Sequence, residues 1–166
     1  MVQGDVVVMK SKTRYIARSA AIAALYLALT YITSLFGLAS GIIQVRFSEA
    51  LTVLPALFPE AVPGLFVGCL LANVLTGSAA LDVVFGSLAT LIGAYGTYLL
   101  RRRPYLAALP PIISNTLIIP FVLAFVYRFD GSLWYFAMTV GIGEIISCGI
   151  FGTALMRYML KRIKTR

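Results

Sequence analysis

Histidine is absent from this chain of 166 residues, and acidic residues are scarce, with six Asp and Glu against fourteen Lys and Arg. Without histidine, the usual zinc sites and His-based acid–base catalysis are essentially excluded. No Gly-x-x-x-x-Gly-Lys-[Ser/Thr] loop occurs, so an ATPase of the P-loop type is excluded as well. The only cysteines, Cys69 and Cys148, lie inside apolar runs, where cysteine behaves as a small apolar residue. We therefore expect no enzyme activity, no catalytic residue, no metal and no cofactor.

Apolar residues make up 60% of the chain, only 12% is charged, and the mean hydropathy is +0.94. A soluble domain has about 45–50% apolar residues, so the composition predicts a multi-pass protein of the cell membrane. The net charge of +8 does not indicate nucleic-acid binding, because the bases flank apolar segments as cytoplasmic anchors do. These bases are Lys10, Lys12, Arg14 and Arg18, then Arg101, Arg102 and Arg103, then Arg157, Lys161, Arg162, Lys164 and Arg166.

The apolar segments predict an all-α integral membrane protein, a compact bundle of six transmembrane helices. The predicted segments are 15–36, 42–58, 63–75, 82–100, 105–127 and 133–159. The second is short, since about 20 residues are needed to span the hydrocarbon, and we expect it to fold back into the bundle from a loop. We treat residues 1–12 as a polar, weakly ordered tail and 13–166 as a single membrane domain. Six spans place all basic clusters on one side, so both termini are predicted to be cytoplasmic.

Four charged residues interrupt the apolar segments: Arg46, Glu49, Asp82 and Glu144. A charge inside a membrane span costs at least about 2.5–3.5 kcal/mol, so each needs a partner or a ligand. Arg46 and Glu49 are three residues apart, one turn on a helix. One hypothesis is a structural ion pair between Arg46 and Glu49 or Glu144; the other is a site for a small polar ligand. Three carboxylates for one deep arginine favour the ligand site, as do the nearby polar residues Gln44, Ser48, Asn73, Ser114 and Asn115.

Two further patterns leave alternatives open. Ala20, Ala24 and Ala28 form a stripe of small residues on the first span, which permits close approach of another helix. That helix belongs either to this chain or to a partner protein. Phe47, between Arg46 and Glu49, is a candidate for stacking on a planar ligand or for ordinary apolar packing.

Four segments resemble the QueT family, whose members are substrate-binding S components of energy-coupling-factor (ECF) transporters. The segments are Val45–Leu51, Leu81–Thr90, Pro110–Asn115 and Thr139–Ile146, and the resemblance extends from about residue 17 to about residue 161. It implies six helices with both termini cytoplasmic. It also implies a complex with a transmembrane coupling (T) protein and two cytoplasmic ATPases, docked through the alanine stripe.

The resemblance further implies that the cargo is a queuosine precursor, a 7-deazaguanine such as preQ0, preQ1 or queuine. The guanine-like edge of these molecules offers two N–H donors that a carboxylate can accept, and an O6 acceptor for Arg or Asn. Glu49 or Glu144 is assigned to this edge and Asp82 to the exocyclic amine of preQ1. The predicted ligand-binding residues are therefore Arg46, Phe47, Glu49, Asn73, Asp82, Asn115 and Glu144. The alternatives are a different vitamin or nucleobase as cargo, and a small membrane enzyme.

Overall fold

The computed structural model describes residues 2–37 and 44–165, with side chains from residue 12 onward, and this part of the chain is helical throughout, without a β-strand. Five long helices and one short 3₁₀ helix follow each other. They are α1 (Val2–Leu35), the 3₁₀ helix (Phe47–Ala56), α2 (Ala61–Leu75), α3 (Ala80–Leu99), α4 (Pro104–Val126) and α5 (Leu133–Lys164). The six-helix prediction is confirmed.

Within the described residues, four segments are long and apolar enough to cross a membrane: Lys12–Leu35 within α1, and the whole of α3, α4 and α5. The other two are shorter, since the 15 residues of α2 rise about 22 Å and the 10 residues of the 3₁₀ helix about 20 Å. The expectation of a short second segment that folds into the bundle is thus confirmed. The first residues of the predicted second segment, and most of the glycine-containing loop before it, fall in 38–43, outside the described residues.

The first helix is longer than the predicted span, because its backbone is helical from Val2 onward. It therefore passes through the segment that the sequence predicts to be a polar tail. The division of the chain into a tail and a membrane domain stays a prediction. So does the cytoplasmic location of the two termini.

Glycines set the distance between α1 and α2. A Cβ atom on Gly64 would lie 2.6 Å from the backbone oxygen of Ser19, and one on Gly68 would lie 2.9 Å from that of Ala23. Both contacts are shorter than real Cβ contacts allow, so only glycine permits this approach. The face of α1 that packs on α2 is therefore the one that carries Ser19, Ala23 and Tyr26.

The alanine stripe lies on another face of α1, where Ala20, Ala24 and Ala28 are exposed. Packing of the stripe against the chain's own helices, one of the two alternatives, is therefore wrong. Most large apolar side chains on the bundle's outer surface are exposed as well, as lipid contact requires. The interior contains many buried hydroxyl groups, among them Thr30, Thr52, Thr90 and Thr97.

The 3₁₀ helix lies inside the bundle, against α1, α3 and α5. Arg46 precedes it as the N-cap with an extended backbone (φ −110°, ψ 109°), and the helical turn begins only at Phe47. Arg46 and Glu49 are nevertheless one 3₁₀ turn apart, as their spacing predicts, because the backbone N–H of Glu49 donates to the backbone oxygen of Arg46 at 3.1 Å.

Candidate ligand-binding site

A polar cavity of about 380 Å³ opens at the end of the bundle where α1, α2 and α4 end and α3 begins. The basic residues within 101–103 and 161–164 lie at the other end of the bundle, where α3 and α5 end, and Arg18 pairs with Glu60 just before α2 begins. Its volume falls within the range of about 300–1,000 Å³ typical of small-molecule sites. We call it the outer cavity; its lining residues are Thr30, Ser34, Gln44, Arg46, Asn73, Thr76, Gly77, Ser78, Asp82, Leu123, Tyr127 and Phe129.

A second cavity of about 20 Å³ shares Gln44 and Arg46 with the first. This inner cavity has room for about one water molecule. It is lined by Gln44, Arg46, Glu49, Gly86, Thr90, Asn115, Ile119, Val140 and Glu144. The segment that contributes Gln44 passes directly over Gly143 of α5, where a side chain would collide with the Gln44 carbonyl.

Arg46 separates the two cavities and contacts only neutral groups there. Its Nη2 donates to Gln44 Oε1 at 3.2 Å and its Nη1 to Asn73 Oδ1 at 3.5 Å. Among the described residues, the only ion pair with N···O within 4 Å joins Arg18 and Glu60, at 2.9 Å. The hypothesis of a structural ion pair between Arg46 and Glu49 or Glu144 is therefore wrong, and the deep carboxylates keep acceptor capacity.

Glu49 is 2% exposed and is bound from one side only. The phenol of Tyr26, on α1, donates to its Oε1. Its Oε2 is buried and has no hydrogen-bond partner among the described residues. A buried carboxylate oxygen without a donor is costly, so Glu49 presents an acceptor that a bound ligand would satisfy.

Glu144, on α5, is bound by neutral donors. Asn115 Nδ2 donates to its Oε1 at 2.9 Å, and the thiol of Cys148 lies 3.2 Å from its Oε2. The ligand atoms of Glu49, Glu144 and Cys148 lie within 4.8 Å of one another, so the set is a candidate for a divalent cation by residue type. The Cys148 sulfur, however, also lies 3.3 Å from the backbone oxygen of Glu49, so the single proton of a thiol has two acceptors there. A metal-bound thiolate has no proton to donate, so the arrangement as it stands is a hydrogen-bonded cluster.

Asp82 lies in the first turn of α3, 5% exposed, at the wall of the outer cavity. Tyr127 donates to its Oδ2 at 2.7 Å. Carboxylates are favoured near a helix N-terminus, which helps to explain why an acid is tolerated there. Asn73 lies nearby, since a Cβ atom on Gly86 would be 3.1 Å from Asn73 Nδ2 and 3.2 Å from Asp82 Oδ1. The absence of a side chain at Gly86 leaves space between them.

A family model described as "QueT transporter" matches residues 16–161, most of the chain. The chain belongs to the QueT transporter family. One curated relative is the "Queuosine precursor transporter QueT" of Lactococcus lactis subsp. cremoris (strain MG1363), 36% identical over 83 residues. That match covers 50% of this chain and 48% of the relative, so it spans about half the relative's length. No solved structure matches.

Membership of a transporter family, together with four apolar helices of spanning length, makes the chain a multi-pass protein of the cell membrane. The sequence motifs of this chain predict a resemblance to the QueT family, and the family match confirms it. Members of this family are named as transporters, which are not enzymes. The cavities are accordingly interpreted as binding sites for cargo.

The structure brings six of the seven predicted binding residues of this QueT-family protein to the two cavities. Asn73 and Asp82 line the outer one, Glu49, Asn115 and Glu144 line the inner one, and Arg46 lines both. Phe47 lies outside them, edge-on to Phe151 with ring centroids 5.4 Å apart. Aromatic rings reach the outer cavity instead from Tyr127 and Phe129, which are stacked with a centroid distance of 5.8 Å.

Sequence analysis did not assign Tyr26 to the site. A signal for it is present, because Tyr26, Thr30 and Thr33 follow the i, i+4, i+7 spacing of one helix face and are all buried. Polar groups on one face of an otherwise apolar membrane helix indicate an inward face. The bond that Tyr127 donates to Asp82 is not predicted from the sequence either.

Proposed function

We propose that the protein is the substrate-binding S component of an ECF-type transporter and that it captures a 7-deazaguanine queuosine precursor. The observation that carries the proposal is the pair of cavities that share Arg46: three carboxylates line them, and none lies within 4 Å of the nitrogens of that arginine. Such a set of acceptors and donors suits a flat, polar base with donors on one edge and an acceptor beside them. The name of the Lactococcus relative supports the choice of cargo.

The cavity volumes suggest how such a base would lie. A bicyclic ring does not fit into about 20 Å³, so the ring occupies the outer cavity and only its edge reaches the inner carboxylates. In this pose Glu49 or Glu144 accepts the N–H donors, and Arg46, at the boundary, donates to O6. The stacked rings of Tyr127 and Phe129 offer an aromatic face to the bicycle.

The same pose directs the substituent at position 7 toward the mouth of the outer cavity. Asp82 lies there and would receive the aminomethyl cation of preQ1 as an ion pair. A nitrile, as in preQ0, carries no charge and makes no such pair. The carboxylates therefore have two different roles. Glu49 or Glu144 binds the guanine-like edge deep in the site, and Asp82 binds the exocyclic amine.

We propose that the partner proteins of the transporter dock on the surface of α1. Ala20, Ala24 and Ala28 form a strip of small side chains that are exposed on the surface of the described bundle. Small residues let a partner helix approach closely within the membrane. We assign this face to the transmembrane coupling protein, with two cytoplasmic ATPases completing the transporter and both termini of this chain on their side of the membrane.

The proposal is tested by asking what the purified protein holds. Mass spectrometry of the small molecules released on denaturation should find a 7-deazaguanine, and titration calorimetry of the emptied protein should show saturable binding of preQ0, preQ1 or queuine. Asp130→Asn is the matched control, because Asp130 is an exposed acid outside both cavities. Retention of a different vitamin or nucleobase would replace the cargo; a protein that binds no small molecule would refute the assignment as an S component.

A further inference from the structure

The inner face of α1 holds two consecutive residues of the 3₁₀ helix. The fully buried Tyr26 donates its phenol proton to Glu49 Oε1. One turn later, the hydroxyl groups of Thr30 and Ser48 lie 2.8 Å apart. Both bonds join the longest helix of the protein to the segment that carries the deepest carboxylate. The position of Glu49 is therefore set by α1 and not only by its own short helix.

These bonds leave the two oxygens of Glu49 unequal. Oε1 accepts from Tyr26, whereas Oε2 is buried without a hydrogen-bond partner among the described residues. The same side chain lines the inner cavity together with Asn115 and Glu144. An ionised carboxylate can only accept, so Oε2 needs a donor. A ligand in the cavity that presents an N–H toward Glu49 would supply this donor.

We infer that Tyr26 is a positioning residue for ligand selection: it holds Glu49 so that Oε2 accepts from the exocyclic amino group of a base whose ring N–H lies next to that group. This inference rests on the proposed function and makes it more specific. The chemical class it selects is a base with a ring N–H next to an exocyclic amino group. A base without the amino group would leave a fixed, buried acceptor unpaired. A site that is built to hydrogen-bond a ligand group rejects an analogue without that group strongly, because the buried partner of the group then has no hydrogen bond.

The role depends on Glu49 being held in place. If the phenol is removed, the carboxylate loses its only hydrogen bond from a side chain of α1 and can turn toward other groups around the inner cavity. A missing donor on the ligand then leaves no fixed acceptor behind. The preference for the amino-bearing base should therefore fall, beyond any general loss of affinity.

The test compares two probes, 7-deazaguanine and 7-deazahypoxanthine, which differ by the exocyclic amino group, by calorimetry on the purified full-length protein. We expect the wild type to prefer 7-deazaguanine by about 30-fold or more. In Tyr26→Phe this ratio should fall by about tenfold, the effect of one charge-assisted hydrogen bond. Tyr31→Phe is the matched control, because Tyr31 is an exposed tyrosine of the same helix, and it should keep the wild-type ratio.

A second variant shows whether the effect passes through Glu49. Glu49→Gln should lower the ratio by itself, and adding Tyr26→Phe to it should lower the ratio no further, as expected for two residues that act as one unit.

The outcomes separate this inference from the proposed function. If the wild type binds 7-deazaguanine but Tyr26→Phe weakens both probes equally, the function stands and the positioning role is overturned. A Tyr26→Phe protein that fails to fold, judged by its thermal melt against Tyr31→Phe, would assign the phenol to stability and also overturn it. If the wild type binds neither probe, the proposed cargo fails and the inference fails with it.

Discussion

The phenol oxygen of Tyr127 donates a 2.7 Å hydrogen bond to Asp82 Oδ2, and this bond joins the end of α4 to the first turn of α3 across the mouth of the outer cavity. Tyr127 also accepts from the backbone N–H of Ala79 at 3.3 Å. Asp82 is thus held at the wall of the cavity by one neutral donor, Tyr127, and keeps its other oxygen, Oδ1, on the side of Asn73. The entrance of the cavity is acidic, and this determines which ligand substituents it favours.

Asp82→Asn should therefore weaken binding of preQ1 much more than binding of preQ0. Loss of one partner of a desolvated ion pair costs about 2–5 kcal/mol, or roughly 30-fold or more in Kd, whereas the nitrile of preQ0 makes no such pair. Calorimetry with both ligands measures the difference. Asp130→Asn should leave both affinities unchanged. Equal losses for the two ligands would show that Asp82 does not face the exocyclic amine.

The inner carboxylates should behave differently, because the guanine-like edge is common to both ligands. Glu49→Gln or Glu144→Gln, whichever removes the residue that accepts from this edge, should weaken preQ0 and preQ1 by a similar factor of roughly 30 or more. Calorimetry on both variants, with folding checked by thermal melts, identifies that residue. If neither substitution changes either affinity, the carboxylates are structural and the ligand lies elsewhere.

Ala24→Trp should block assembly with the coupling module while leaving ligand binding intact. The indole would occupy the exposed stripe on α1 and prevent close approach of a partner helix, yet the cavity is lined by a different face of that helix. Co-purification with the coupling protein and calorimetry with preQ1 measure the two effects. Ile92→Trp, at an exposed position of α3, is the control. Complex recovery equal to the wild type would show that the stripe is not the docking face.

The proposed topology places the cavity entrance outside the cell. A thiol introduced by Asp130→Cys, in the exposed turn between α4 and α5, should react with an impermeant reagent added to intact cells, whereas one introduced by Lys164→Cys should react only after the membrane is opened. The native thiols of Cys69 and Cys148 are buried, so the wild type serves as the unlabelled blank. Labelling of the Lys164→Cys protein in intact cells would invert the orientation.

The ion pair between Arg18 and Glu60 should make stability depend on pH. Burial alone would raise the pKa of Glu60, but the hydrogen bond from Arg18, a backbone hydrogen bond and the charge of Arg18 together hold the pKa below its ordinary value. A lowered pKa in the folded state means that the stabilisation is complete above the pKa of the unfolded chain, about 4.3. It is lost as the pH falls through the lower pKa of the folded protein.

Thermal melts of the wild type and Arg18→Met between pH 7 and pH 3 measure this effect. The wild type should be more stable near neutral pH, by less than about 1 kcal/mol because Arg18 is more than half exposed. The difference should disappear at the acid end. Arg14→Met, one turn earlier on α1, is the control. A difference that grows as the pH falls would contradict the assignment.

The helical fold and the charged residues of the candidate site follow from the sequence alone. An apolar chain must satisfy its backbone hydrogen bonds internally within the membrane, so long apolar runs dictate helices. Charges inside such runs identify the site, because the membrane tolerates them only where they have a use. Arg46, Glu49, Asp82 and Glu144 could be found in this way, without knowledge of which helices lie side by side.

The tertiary structure decided how these groups relate to one another. Arg46 and Glu49 are close in sequence, yet the backbone is extended at Arg46 and helical only from Phe47 onward, and no spacing rule contains that dihedral angle. Tyr26 meets Glu49 across 23 residues and Tyr127 meets Asp82 across 45. Such contacts depend on the packing distance and rotation of whole helices, which many weak contacts and glycines such as Gly64 and Gly68 set together. Composition and local spacing determine which residues need partners, and only the packed bundle determines which partners they receive.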